Sequence, residues 1–104
     1  MEKRFSEMSK AELDRQLLHL KESAMKKHQA GFYSEAAVYE QKFYFAKSYL
    51  IDTTRFQVNT EYYVIGEEQP FTLHYIRGRM AWGHFADSTE EIAFPIAKLA
   101  RKES

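Results

Sequence analysis

Hydrophobic positions recur at steps of three and four over the first half of the chain. Over the second half they recur at steps of two. The pattern therefore predicts helices followed by a sheet. Ser9-Lys10-Ala11-Glu12 opens the first helix as a capping box, in which the Ser9 hydroxyl accepts from the Glu12 amide while the Glu12 carboxylate reaches back. Met8 and Leu13 occupy hydrophobic-staple positions on either side of the cap. Leu13, Leu17, Leu20 and Ala24 then form one stripe, and Gly31 supplies a left-handed stop. This predicts a helix over residues 10–30.

A second helix is predicted from Tyr33 to Leu50, with Ala36, Tyr39, Phe43, Ala46 and Leu50 as its stripe. The Ala30-Gly31-Phe32 link is short, so the two helices are antiparallel neighbours. Val38, Phe45 and Tyr49 add an adjoining apolar face, with Tyr44 beyond it. That is more apolar arc than one partner helix covers.

From Glu61 the period is two. Strands are predicted at Glu61–Ile65, Phe71–Ile76, Arg79–Phe85 and Ile92–Ile96, with a single helical turn at Ala97–Leu99 before a charged tail. With Arg77-Gly78 as a two-residue hairpin loop, Phe71, Leu73, Tyr75, Met80, Trp82 and His84 share a core face. Thr72, His74, Ile76, Arg79, Ala81 and Gly83 then form a wet one. Four or five short antiparallel strands suggest a small, partly open barrel. The expected class is α+β: a helical hairpin over residues 1–52 packed on a barrel over residues 53–104, one compact unit with a shared core.

Composition narrows function mainly by exclusion. The 104 residues include 15 basic and 15 acidic side chains and no cysteine. This removes disulfide frameworks, thiolate metal sites and cysteine nucleophiles. Residues 1–51 carry nine basic and seven acidic groups, and residues 52–104 carry six and eight; +2 against −2 is too small a split to name a partner. No apolar run follows the N-terminus and none reaches a membrane span, so the expectation is a cytoplasmic protein without membrane attachment. His19, His28, His74 and His84 make no two-histidine helical pair. His19 with Glu22 reads as a solvated helix face rather than a ligand pair. There is no nucleophile elbow or phosphate-binding glycine loop, and the Glu67-Glu68 and Glu90-Glu91 pairs fall in polar loops. The residues thus point away from an enzyme, a metal site, a cofactor and a small-molecule substrate.

Two binding classes remain. Small barrels bind nucleic acid by stacking bases on aromatics beside a basic groove. His74, Arg77 and Arg79 at the hairpin tip, with Lys3 and Arg4 as a basic arm, are the candidate residues. Tyr75 and Trp82 are expected in the core instead. A protein partner, or a second copy in a homodimer, is the competing class, through Tyr44, Phe45 and Tyr49 of the second helix.

Several segments, in order, carry a resemblance. They are Glu2-Lys3-Arg4-Phe5-Ser6 through Met8, Tyr39-Glu40-Gln41-Lys42, Ala46-Lys47-Ser48-Tyr49-Leu50-Ile51-Asp52, Tyr75-Ile76-Arg77-Gly78, Ala81-Trp82-Gly83 and Phe94-Pro95-Ile96. With these the chain resembles the YfhH family of small uncharacterised bacterial proteins over nearly its whole length. The resemblance implies a helical hairpin followed by an SH3-like barrel and no established activity; a transcriptional-regulator label is attached to some members. Two positions depart from the family pattern. Arg77-Gly78 stands where relatives tend to have Asn-Gly, and Asn59-Thr60 stands where they tend to have Pro-Gly. Arginine in a left-handed conformation costs on the order of 1 kcal/mol, so another turn type is expected at the tip.

Overall fold

A computed structural model of the chain describes residues 3–101. Glu2 and the charged tail after Arg101 lie outside the described residues. The fold is α+β, with two helices followed by a five-stranded antiparallel sheet. The chain divides into two compact units, Met1–Leu50 and Ile51–Ser104.

In the first unit, α1 spans Lys10–Gln29 and α2 spans Tyr33–Ser48. The capping box forms as read. Ser9 Oγ accepts from the Glu12 amide at 3.2 Å, and Glu12 Oε1 accepts from the Ser9 amide at 3.2 Å. Gly31 takes φ +85°, and the Phe32 and Gly31 amides donate back to the Lys27 and His28 carbonyls at 2.8 and 3.1 Å. This is a Schellman ending, which only a left-handed residue permits without strain. Leu13, Leu20, Ala24, Ala36 and Ala46 are buried. Met8, Leu17, Tyr39 and Phe43 pack against the cluster that Leu13, Leu20 and Ala46 form. Leu50 leaves the expected stripe, because α2 ends at Ser48 and Leu50 is exposed.

In the second unit, β1 is Thr60–Val64, β2 Phe71–Arg77, β3 Met80–Phe85, β4 Ile92–Pro95 and β5 Leu99–Arg101. The sheet order is β4-β3-β2-β1-β5, so β4 and β5 are the two edges of an open sheet. The expected helical turn is a 3-10 turn at Ile96–Lys98, and β5 follows it to pair with β1. Tyr62, Val64, Phe71, Leu73, Ala81, Ile96 and Leu99 form the buried cluster. Among the described residues no helix is long and apolar enough to cross a membrane.

The central hairpin overturns the expected register. Arg77 pairs with Met80, Ile76 with Ala81 and Tyr75 with Trp82. The two loop residues are therefore Gly78 and Arg79, not Arg77 and Gly78. Gly78 takes φ +61°, and Arg79 is not among the residues with positive φ. A left-handed glycine followed by a right-handed residue is the φ signature of a type II′ turn, which relieves the arginine strain that an Arg77-Gly78 loop would carry. The register then shifts between Leu73 and Tyr75, leaving His74 as the extra residue of a β-bulge. The bulge resets the alternation, so that Leu73 and Ile76 both contact the core. Ala81 and Gly83, expected to be wet, are buried. Tyr75, Met80, Trp82 and His84, expected in the core, are half-buried outside the buried cluster. Of the expected core face only Phe71 and Leu73 remain in place.

Candidate functional site

The bulge and the turn together build a surface on β2 and β3. Because His74 is the extra residue, His74 and Tyr75 follow one another against Trp82 and His84 of the partner strand. The Tyr75 and Trp82 rings stack nearly parallel, with centroids 5.9 Å apart and planes 8° apart. The Arg77 guanidinium lies 5.7 Å from the Tyr75 centroid, within reach of its π face. His74 Nε2 and His84 Nδ1 are 2.7 Å apart, so one imidazole donates to the other.

Glu91, in the loop before β4, ties these groups together. Its Oε1 accepts from the Tyr75 hydroxyl at 3.0 Å, and its Oε2 lies 3.9 Å from His74 Nδ1. Desolvation, and then the bond to Glu91, push the Tyr75 phenol above its ordinary value, so it stays a donor at neutral pH. The result is a half-buried aromatic stack with a cation at one end and a carboxylate–imidazole pair at the other. Flat π surface beside a guanidinium is suited to stacking a planar group and pairing with an anion. Among the described residues, no three His, Cys, Asp or Glu side chains are grouped to hold a metal ion.

The candidate residues separate into two places. His74 and Arg77 belong to the β2–β3 surface. Arg79 sits in the turn, half-buried, and its Nη1 donates to the Ile51 carbonyl at 3.3 Å. That contact engages it structurally. Lys3 and Arg4 lie in the first unit, where Lys3 pairs with Glu12 at 3.0 Å and Arg4 with Glu7 at 3.9 Å. They line a groove of about 780 Å³ together with Phe45 and Tyr49, so residues taken from the two competing readings meet there. Phe5, Phe45 and Tyr49 form a ring cluster within it, with centroids 5.5 to 6.4 Å apart. Tyr44 lines a different groove, with Met25, His28 and Phe43.

The residues missed from sequence are Tyr75, Trp82, His84 and Glu91. One signal was available. Ala81 and Gly83 are the smallest residues of β3, and small side chains on one face leave room for large rings packed against it. A Cβ on Gly83 would overlap the Thr72 carbonyl oxygen and lie 2.9 Å from the Phe71 ring.

Comparison with known proteins adds a family and no activity. Residues 3–100 match the family described as "Protein of unknown function (DUF1811)". The chain is also 39% identical over 104 residues to the Uncharacterized protein YfhH of Bacillus subtilis (strain 168), covering 99% of this chain and 100% of that relative. The chain belongs to this family.

Proposed function

We propose that this member of a family of unknown function is a non-enzymatic binding protein that contacts single-stranded nucleic acid in the cytoplasm through the β2–β3 surface. The observation that carries the reading is the Tyr75–Trp82 stack with the Arg77 guanidinium at its end. A base laid on such a stack gains sequence-independent stacking energy, and the guanidinium meets the adjoining phosphate. Arg77 replaces the tip cluster as the leading cation, since Arg79 is held by Ile51. An SH3-like reading of the sheet goes with this proposal. It is supported by the run β1 to β4 as consecutive neighbours, the 3-10 turn at Ile96–Lys98 and the return of β5 to β1. A regulatory role would follow from occupancy of a transcript or an opened duplex.

The test is fluorescence anisotropy of labelled single- and double-stranded DNA and RNA oligonucleotides at two salt concentrations. Binding to single strands should weaken as salt rises. Trp82→Ala should cost about 1–3 kcal/mol, the worth of one stacked base. Arg77→Ala should weaken binding and flatten its salt dependence, while Arg79→Ala should act mainly on stability. Equal binding by wild type and Trp82→Ala would refute the reading.

A second reading rests on the groove that gathers Lys3, Arg4, Phe45 and Tyr49. An aromatic floor with cations at its rim suits a protein partner or a second copy of the chain. Under this reading Arg4→Glu abolishes partner binding or halves the solution mass, and leaves oligonucleotide binding untouched.

A further inference from the structure

His74 and His84 stand opposite one another across the bulge, and this pair has a use that base stacking does not need. We infer that the two imidazoles form an open binding site for a borderline transition-metal ion, zinc(II) or copper(II). The converging atoms are His74 Nε2 and His84 Nδ1, 2.7 Å apart. Two nitrogens at about 2.0–2.1 Å from a tetrahedral ion stand about 3.3 Å apart, so the ion enters after a small opening of the pair. Imidazole suits both ions, and copper(II) binds most tightly in the divalent series.

The outer contacts favour the same arrangement. The Glu91 carboxylate sits on the far side of His74, with Oε2 3.9 Å from Nδ1. At 3.9 Å no hydrogen bond joins them, but a small turn of the His74 ring would bring its outer N–H to Glu91. In that arrangement a carboxylate behind a ligating histidine leaves the inner lone pair for the metal. The Tyr75 hydroxyl donates to the other oxygen of Glu91 and fixes it. In the metal-bound form His84 would carry its proton on Nε2, which frees Nδ1. With two protein nitrogens, solvent fills the remaining positions, and such a site accepts a further ligand. The proposal does not depend on nucleic-acid binding.

Trp82, the one tryptophan of the sequence, lies two residues from His84 and reports on the site. Copper(II) chloride is titrated into the full-length protein while Trp82 fluorescence is followed, and zinc(II) chloride is added as competitor. The expected result is saturable quenching at one equivalent that a large excess of zinc reverses. His74→Gln and His84→Gln should each weaken it by about tenfold or more, and Glu91→Gln by about tenfold, the usual cost of an outer partner. A combined His19→Gln, His28→Gln variant should leave the curve unchanged, since neither residue belongs to the His74–His84 pair. Circular dichroism melts check that each variant folds. Electron paramagnetic resonance of the copper-loaded wild type decides independently of any variant, with two imidazole nitrogens expected. Quenching unchanged in both histidine variants, or a spectrum with fewer than two imidazole nitrogens, would overturn the inference.

Discussion

Gly83 has no room for a side chain. A Cβ there would run into the Thr72 carbonyl and the Phe71 ring. Gly83→Ala should therefore destabilise the protein by about 1–3 kcal/mol, the usual range for overpacking a filled site, as read from urea unfolding. Asn59 makes a different demand. It holds φ 59° just before β1, and its amide donates to the Leu73 carbonyl at 2.6 Å. Asparagine tolerates the left-handed region better than other residues with a Cβ, so the entry to the strand carries little strain. Asn59→Gly should be near neutral, while Asn59→Ala should lose about 1 kcal/mol, measured in the same unfolding experiment. A larger loss for glycine than for alanine would contradict the assignment.

At the scale of the elements, the helical unit and the sheet were legible to different degrees. The start and stop of α1 were readable because caps are local. Ser9 and Glu12 satisfy each other three residues apart, and Gly31 closes the other end. Ser9→Ala should cost about 1 kcal/mol of stability. Hydrogen bonding to Lys3, and then to the Ser9 amide, lowers the Glu12 carboxyl below its ordinary value. Its ionised form is thus favoured in the folded state. The sign follows: this contribution is present at neutral pH and fades as pH falls through the lowered value. Thermal melts from pH 7 downward should show Glu12→Gln and wild type converging in acid.

The hairpin was less legible, because register is set by geometry between strands. His74 resembles any polar strand residue, yet as the extra residue of a bulge it reverses every later assignment on β2. Moving the loop from Arg77-Gly78 to Gly78-Arg79 changes the residue opposite Tyr75 from Met80 to Trp82, a two-residue step that keeps the face. The bulge alone therefore turns β3 over relative to Phe71 and Leu73. Strand existence survives such a change; which face is wet does not. Tyr75 and Trp82 consequently appeared as core to sequence reasoning, and the candidate surface was drawn around His74, Arg77 and Arg79, of which the structure ties Arg79 to Ile51.

Across the whole molecule, two compact units each carry a hydrophobic cluster of their own, and the family match spans residues 3–100. Formal charge is zero, so long-range attraction to a polyanion is weak, and binding must come from local contacts. That makes Trp82 the most informative residue in the chain. Its intrinsic fluorescence should be followed while unlabelled single-stranded oligonucleotides are added to the full-length protein at about 50 mM and about 200 mM salt. The stacked-base account predicts saturable quenching that shifts to higher oligonucleotide concentration at the higher salt. Binding detected by anisotropy with no change in Trp82 emission, or no binding at the lower salt, would contradict it.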